Sequence, residues 1–244
     1  MDFNQDFIDR LKTAKSVVFF TGAGISAESG VPTFRGKEGL WKKFKPQELA
    51  NFDAFIRNPD LVWEWYQYRR KIVEKANPNP GHLAIVEMEK YFEDVSVITQ
   101  NVDNLHNRAG SKNVYELHGN IERNYCIDCE AIYNTTELEI SGKAPRCKKC
   151  GGLIRPDIVW FGESIPQSIF SVAEFKAKNS DICFVIGTSA IIYPAASIPR
   201  LAKENGAYLV EINIEPTEIS HFVDYSLIGK SGEILPEILA VITK

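Results

Sequence analysis

Two C-x2-C pairs, Cys126/Cys129 and Cys147/Cys150, narrow what this chain can fold into more than any other feature, because seventeen residues separate them. At that spacing each pair bends into a knuckle that offers two thiolates to one ion, and Gly151-Gly152 lets the second knuckle turn. The pairs predict a zinc ribbon; redox dithiols are the alternative reading. Four sulfur ligands complete the tetrahedron of a zinc ion and leave no position for water, so the expected site is structural rather than catalytic. Few apolar residues lie between Cys126 and Gly152, and so small a segment needs a metal to hold its fold. The fifth cysteine, Cys183, sits inside Ile182-Cys183-Phe184-Val185-Ile186 and reads as a small buried hydrophobe.

A ribbon of this size is an insertion, and the remaining chain shows what carries it. Ser16 to Phe20, Val95 to Ile98, Ile182 to Ile186 and Tyr208 to Ile212 are short β-branched or aromatic runs. Helical patterns follow at His82–Tyr91, Pro194–Glu204 and Glu233–Ile242, and Phe3, Phe7, Ile8 and Leu11 mark an amphipathic first helix. Strands alternating with helices predict an α/β fold, a Rossmann-like parallel sheet with helices on both faces. Phe44 to Ala76 breaks the alternation and reads as an aromatic-rich pair of helices, with Pro59 as a helix-start proline. The expected organisation is therefore one domain over 1–244. Residues 1–36, 77–122 and 155–244 form its Rossmann-like lobe, and the helical insertion 37–76 and zinc ribbon 123–154 form a smaller one.

Charge and hydropathy exclude some roles. A formal net charge of −4 over 244 residues gives no support to a dedicated nucleic-acid binder. The first fifteen residues are charged rather than signal-like, and the longest apolar stretch, Ile182 to Pro199, is broken by Gly187, Thr188, Ser189 and Pro194. A soluble, cytoplasmic protein without a membrane partner is expected.

The chemistry begins where the first strand ends. Gly22-Ala23-Gly24-Ile25-Ser26-Ala27 is a G-x-G-x-x-A pattern, which lets backbone N–H groups approach a pyrophosphate or simply makes a tight turn. A dehydrogenase would next show a compact helix and a strand ending in an acidic residue. Pro32-Thr33-Phe34-Arg35-Gly36 follows instead, a polar loop without strand character, and ordinary hydride transfer is disfavoured.

Taken in order, Gly22 to Ser26, Glu28-Ser29-Gly30-Val31-Pro32 and Phe34-Arg35 resemble the signature of the sirtuin family. Thr99 to His106 is similar to its second motif and Leu117-His118-Gly119 to its catalytic motif, with the cysteine pairs following in place. Phe161-Gly162-Glu163, Gly187-Thr188-Ser189, Pro194-Ala195-Ala196 and Ile212-Asn213 extend the resemblance over nearly the whole chain. It implies an NAD-dependent protein-lysine deacylase that consumes NAD as co-substrate and releases nicotinamide, free lysine and O-acyl-ADP-ribose. Acyl-lysine proteins, bound as extended peptides, are the implied partners.

That reaction needs a base for a ribose hydroxyl near neutral pH, and histidine is the side chain suited to it. Of four histidines, His118 follows the strand-like Val114–Leu117 and precedes a glycine, where an α/β protein places its ligand. His82 stands at a helix start, His106 in a loop motif, and His221 has no special context. The resemblance makes His118 the base, with Asn101 and Asp103 as further catalytic residues. It also implies that Gly22, Ala23, Gly24 and Ser26 meet the phosphates and adjacent ribose, that Phe34 screens the reacting carbon, and that Arg35 meets the pyrophosphate. Gln100, Asn101 and Asp103 line the nicotinamide-ribose pocket, and Gly187, Thr188, Ser189, Asn213, Glu215 and Ser231 hold the adenosine half. Val159, Phe161 and Gly162, within Val159–Glu163, and the facing Ala190–Tyr193 flank the substrate peptide, which adds as a strand.

Tyr66 and Arg69 are three residues apart and emerge on one helical face. They resemble the Tyr-x-x-Arg pair of the branch that removes succinyl and malonyl groups. A guanidinium grips a carboxylate through two parallel hydrogen bonds and a phenol supplies a third, whereas an aromatic core helix beside solvated arginines is the plainer reading. Thr33 stands where many sirtuins carry an acidic residue, a change that accompanies the same branch. Two rivals remain: a mono-ADP-ribosyltransferase using the same NAD cleavage, and a non-enzymatic zinc-ribbon module.

Overall fold

The computed structural model describes residues 2–34, 39–43, 45–138 and 142–243, residues 41 and 43 by backbone only. Six strands form the main sheet: β1 (Ser16–Thr21), β2 (Asp94–Thr99), β3 (Val114–Glu116), β7 (Ile182–Ile186), β8 (Tyr208–Asn213) and β9 (Tyr225–Ile228). Their order is β3-β2-β1-β7-β8-β9 and every pairing is parallel. A parallel sheet is covered on both faces, which is why its central strands are almost entirely apolar. Alternation divides their side chains between two cores. Val17, Phe19, Ile182 and Phe184 join Phe7, Ile85, Met88 and Ile234 on one side, while Val18, Phe20, Cys183 and Val185 join Ala173, Ala177, Ile198 and Ala202 on the other. The helices Gln5–Thr13, Pro80–Met88 and Ser231–Ile242 cover the first face, and Gln167–Lys178 and Ser197–Glu204 the second.

Three further strands, β4 (Gly119–Cys126), β5 (Ile132–Asn134) and β6 (Ile154–Ile158), form a separate antiparallel sheet in the order β5-β4-β6. It shares a core of its own with the helices Pro46–Leu49, Phe52–Arg57 and Pro59–Lys75, centred on Phe55, Trp63, Tyr66, Ile121 and Trp160. Asn51 and Asn58 cap two of these helices through their side chains, and Pro59 fills the first turn of the longest, where a missing N–H costs nothing. Trp63 Nε1 donates to the Ile154 carbonyl at 2.7 Å and Arg70 Nε to that of Ile121 at 2.7 Å, so one helix is bolted across both β4 and β6.

Several expectations shift. Phe44 lies outside the described residues, and the helical insertion holds three helices from Pro46 to Lys75 rather than a pair. The small sheet reaches back to Gly119 and on to Ile158, because the β4–β6 pairing continues to Gly119↔Ile158. It therefore takes in 119–122 and 155–158, which the sequence grouped with the larger lobe. Gly119 has φ +80 and a Cβ there would meet the Asp157 carbonyl oxygen at 2.1 Å, so only glycine permits this approach. The helix expected from Pro194 starts at Ser197. No helix among the described residues is long and apolar enough to cross a membrane.

Candidate active site

The carboxyl ends of β1, β2, β7 and β8 face the gap between the sheet and the smaller core. From β1 the sheet runs to β2 on one side and β7 on the other, the point at which a doubly wound sheet opens a crevice. A cleft of about 970 Å³ lies there, at the upper end of the range for small-molecule sites.

Glycine makes the floor possible. A Cβ on Gly24 would stand 2.5 Å from the Gly187 Cα, and one on Gly22 would stand 2.6 Å from the Thr188 Cβ. The turns after β1 and β7 thus meet backbone to backbone. Gly22 N–H donates to the Ile186 carbonyl at 2.9 Å and Gly24 N–H to that of Gly187 at 2.8 Å. Both amides are engaged inside the protein, so what the G-x-G pattern secures first is the approach of two turns. Gly22, Ala23 and Gly24 line the cleft, as do Gly187, Thr188, Ser189, Asn213, Glu215 and Ser231. Thr188 is the hub of this end: its hydroxyl receives Gln100 Nε2 at 2.9 Å and its carbonyl receives Asn213 Nδ2 at 3.1 Å. Glu28, which the signature contains but to which the motif assigned no role, accepts from Ser231 Oγ at 3.3 Å and Gly232 N–H at 2.9 Å. It ties the first turn to the last helix.

At the other end stands His118, its Nδ1 3.0 Å from the Gln100 carbonyl oxygen. A carbonyl only accepts, so Nδ1 carries the proton and Nε2 keeps its lone pair. Burial lowers the ring's pKa below the ordinary histidine value, with the Gln100 bond opposing it, and the imidazole is neutral at pH 7. Asn101 Nδ2 donates to the Gly22 carbonyl at 3.0 Å and to Ser26 Oγ at 3.3 Å, which fixes the direction of its amide oxygen. Ser26 and Asp103 are buried behind the cleft wall rather than on it. Asp103 accepts from Leu105 N–H at 3.0 Å, and desolvation raises its carboxyl pKa against that bond, Ser26 and Arg69. Phe34 lines the cleft; Arg35 lies outside the described residues.

Tyr66 and Arg69 both reach the cleft from the Pro59–Lys75 helix. Neither arginine of the Arg69-Arg70 pair is solvated, and the two diverge. Arg70 Nη2 bonds Asn124 Oδ1 in the small sheet, whereas the Arg69 guanidinium lies 4.8 Å over the Phe34 ring and 5.7 Å from that of Tyr66. Burial lowers the Arg69 pKa, while Tyr66 and Asp103 raise it; among the described residues no carboxylate pairs with it. Tyr66 Oη accepts from Trp160 Nε1 at 2.8 Å. Trp160 lies within the stretch Val159–Glu163 expected beside the peptide, but no pattern linked it to Tyr66, 94 positions away in the chain. Its indole lies under the Arg155 guanidinium, 3.5 Å from the ring centroid, and Arg155 pairs with Glu163.

On the expected peptide side, Val159 N–H is taken by the His118 carbonyl at 3.0 Å and Phe161 N–H by that of Ala50 at 3.0 Å. Val159, Phe161 and Gly162 line one lip and Ile192, Tyr193 and Pro194 the other.

The four cysteine sulfurs lie within 4.8 Å of one another, Cys126–Cys150 at 3.4 Å and Cys129–Cys147 at 3.6 Å. A tetrahedral zinc with ~2.3 Å bonds sets sulfurs about 3.8 Å apart, so the donor set fits the ion. Tyr133 Oη and Lys149 N–H approach Cys147 Sγ at 3.1 and 3.3 Å, donors suited to a bound thiolate.

A family model described as the Sir2 family matches residues 22–194. The "NAD-dependent protein deacylase 2" of Pyrobaculum aerophilum is 52% identical over 95% of this chain and 92% of its own length. A solved Sir2 homolog–NAD complex superposes with a TM-score of 0.92 at 42% identity, covering 99% of this chain and 94% of that one. A Sir2 complex with a p53 peptide and NAD+ gives 0.88 at 34% identity, with 97% of each chain covered.

Proposed function

The chain belongs to the Sir2 family, and from that membership and its cleft we propose that it is an NAD-dependent protein-lysine deacylase, removing acetyl and, through Tyr66 and Arg69, succinyl and malonyl groups. The observation that carries the reading is His118, a neutral imidazole with Nε2 available, at one end of a cleft whose other end is lined by Gly187–Ser189, Asn213 and Ser231. Bound NAD supplies the ribose carbon that captures the acyl oxygen, with nicotinamide as leaving group. His118 Nε2 takes the proton of a ribose hydroxyl, and the Gln100 carbonyl stabilises the imidazolium through the Nδ1 proton. Asn101 presents its amide oxygen, Ser26 and Asp103 brace it from behind, and Phe34 shields the reacting centre from water. The adenosine half rests on the Thr188 hub, Asn213, Glu215 and Ser231.

The acyl-lysine peptide enters as a strand between Val159–Glu163 and Ala190–Tyr193; that the substrate is a peptide is supported by a Sir2 relative solved with a p53 peptide and NAD+. The side chain then passes His118 toward Arg69, a buried guanidinium without a carboxylate partner among the described residues. Such a group is costly unless something ionised meets it, and the carboxylate of a succinyl group can. We assign 37–76 and 119–158 to a small lobe whose zinc holds it in shape.

Matched acetyl- and succinyl-lysine peptides test the assignment in wild type and in Arg69→Met. The succinyl-to-acetyl ratio of kcat/KM should drop at least ~100-fold in the variant, as loss of a buried bidentate contact implies. An unchanged ratio would remove Arg69 from acyl recognition.

A further inference from the structure

Resting on that reading of Tyr66 and Arg69, we propose that Trp160 is a positioning residue for acyl selection, holding the Tyr66 hydroxyl so that its proton is presented to the carboxylate of an acidic acyl group. An indole N–H can only donate, so the 2.8 Å bond from Trp160 Nε1 occupies a lone pair of the Tyr66 oxygen. Arg69, which also bonds the phenol, is a donor only, and Arg155 and Glu163 act on the phenol through charge without a hydrogen bond. The phenol's own proton therefore has to find an acceptor elsewhere, and none takes it among the described residues. A carboxylate offers lone pairs there; the methyl of an acetyl group offers nothing. Burial favours the neutral phenol, so the proton is present across the working range of pH.

The indole is itself held from three directions. Arg155 covers its face at 3.5 Å, Phe55 packs at 5.3 Å between ring centroids, and its backbone N–H bonds Glu163 Oε2 at 2.8 Å. Glu163 also pairs with Arg155, which closes the clamp. A group held this firmly orients the phenol before substrate arrives, so ordering it on binding costs little.

The test compares kcat and KM on matched succinyl- and acetyl-lysine peptides for wild type, Trp160→Phe, Tyr66→Phe and the double variant. Trp160→Phe keeps an aromatic ring and removes the N–H. Its succinyl-to-acetyl ratio of kcat/KM should fall about five- to tenfold, the worth of one oriented hydrogen bond, through a higher KM for the succinyl peptide. Added to Tyr66→Phe, it should lower the ratio by less than about twofold, because both act through one hydroxyl. Benzothienylalanine at position 160, with sulfur in place of the N–H at the same shape, gives the same readout if phenylalanine disturbs folding.

A fully additive double variant, or an unchanged ratio in the Trp160 variants while Tyr66→Phe and Arg69→Met lower it, overturns the role of Trp160 and leaves the acyl assignment standing. A ratio unmoved by all of them overturns that assignment, and the role of Trp160 with it.

Discussion

The hydrogen bond from His118 Nδ1 to the Gln100 carbonyl, 3.0 Å long, fixes the tautomer, and burial holds the ring's pKa below the usual histidine value. A base works unprotonated, so a lowered pKa extends its range toward acid. The acid limb of kcat/KM against pH should therefore inflect below about 6.5, the free-histidine value. An inflection at higher pH would contradict the neutral, desolvated ring. His118→Tyr should lower turnover on acetyl and succinyl peptides alike, by at least ~100-fold. The other histidines show why residue types alone left four candidates. His82 Nδ1 accepts the Asn79 N–H in a helix cap, His106 Nε2 meets the Thr21 hydroxyl in the interior, and His221 is exposed. Their motifs and neighbours in the chain hinted at these roles. The bond from Trp160 to Tyr66 left no local trace, because its partners meet only once β6 has docked against the Pro59–Lys75 helix.

Among the elements, the turns after β1 and β7 are the most constrained. Gly24→Ala places a methyl 2.5 Å from backbone that has no rotamer to turn away. It should destabilise the protein by roughly 1–3 kcal/mol, read from the urea midpoint, and weaken NAD binding in parallel. A wild-type midpoint would mean that the two turns separate easily. Helix starts were legible where chemistry marks them: Asn58-Pro59 and Asn79-Pro80 both open helices. The helix Gln167–Lys178 escaped notice for a physical reason. Its inward face is built on Ala173 and Ala177, while Val172 and Phe175 face outward and blur the 3.6-residue period. Strand β9 is short and lies at the sheet edge with Ile228 half exposed, so it lacks the apolar run that marked its neighbours.

At the scale of the molecule, alternating strands and helices disclosed a parallel sheet, but strand order is a property of long-range pairing and with it the position of the cleft. Two buried histidines give the whole fold a pH dependence. Their ring centroids lie 4.8 Å apart with the planes tilted by 57°; desolvation lowers His82 to about 4 and His106 well below the ordinary value. Below pH ~6.5 the unfolded chain takes up protons that the folded one refuses, so stability falls on acidification, with a slope that steepens toward roughly 1.4 kcal/mol per pH unit for each ring. Urea midpoints between pH 7 and 5.5 should show this slope, and His82→Gln should flatten it; an identical slope in the variant would place the proton uptake elsewhere. Metal analysis should find about one zinc per chain, and chelation should disturb the tryptophan-rich small core while the parallel sheet keeps its secondary structure. Metal-free protein with unaltered unfolding would contradict a structural ion.

The most direct measurement follows the fate of NAD. Mixed with an acyl-lysine peptide and NAD, the protein should yield nicotinamide, free-lysine peptide and O-acyl-ADP-ribose in equal amounts by mass spectrometry. ADP-ribose attached to peptide or protein, or NAD left intact while the acyl group is lost, would contradict the deacylase assignment.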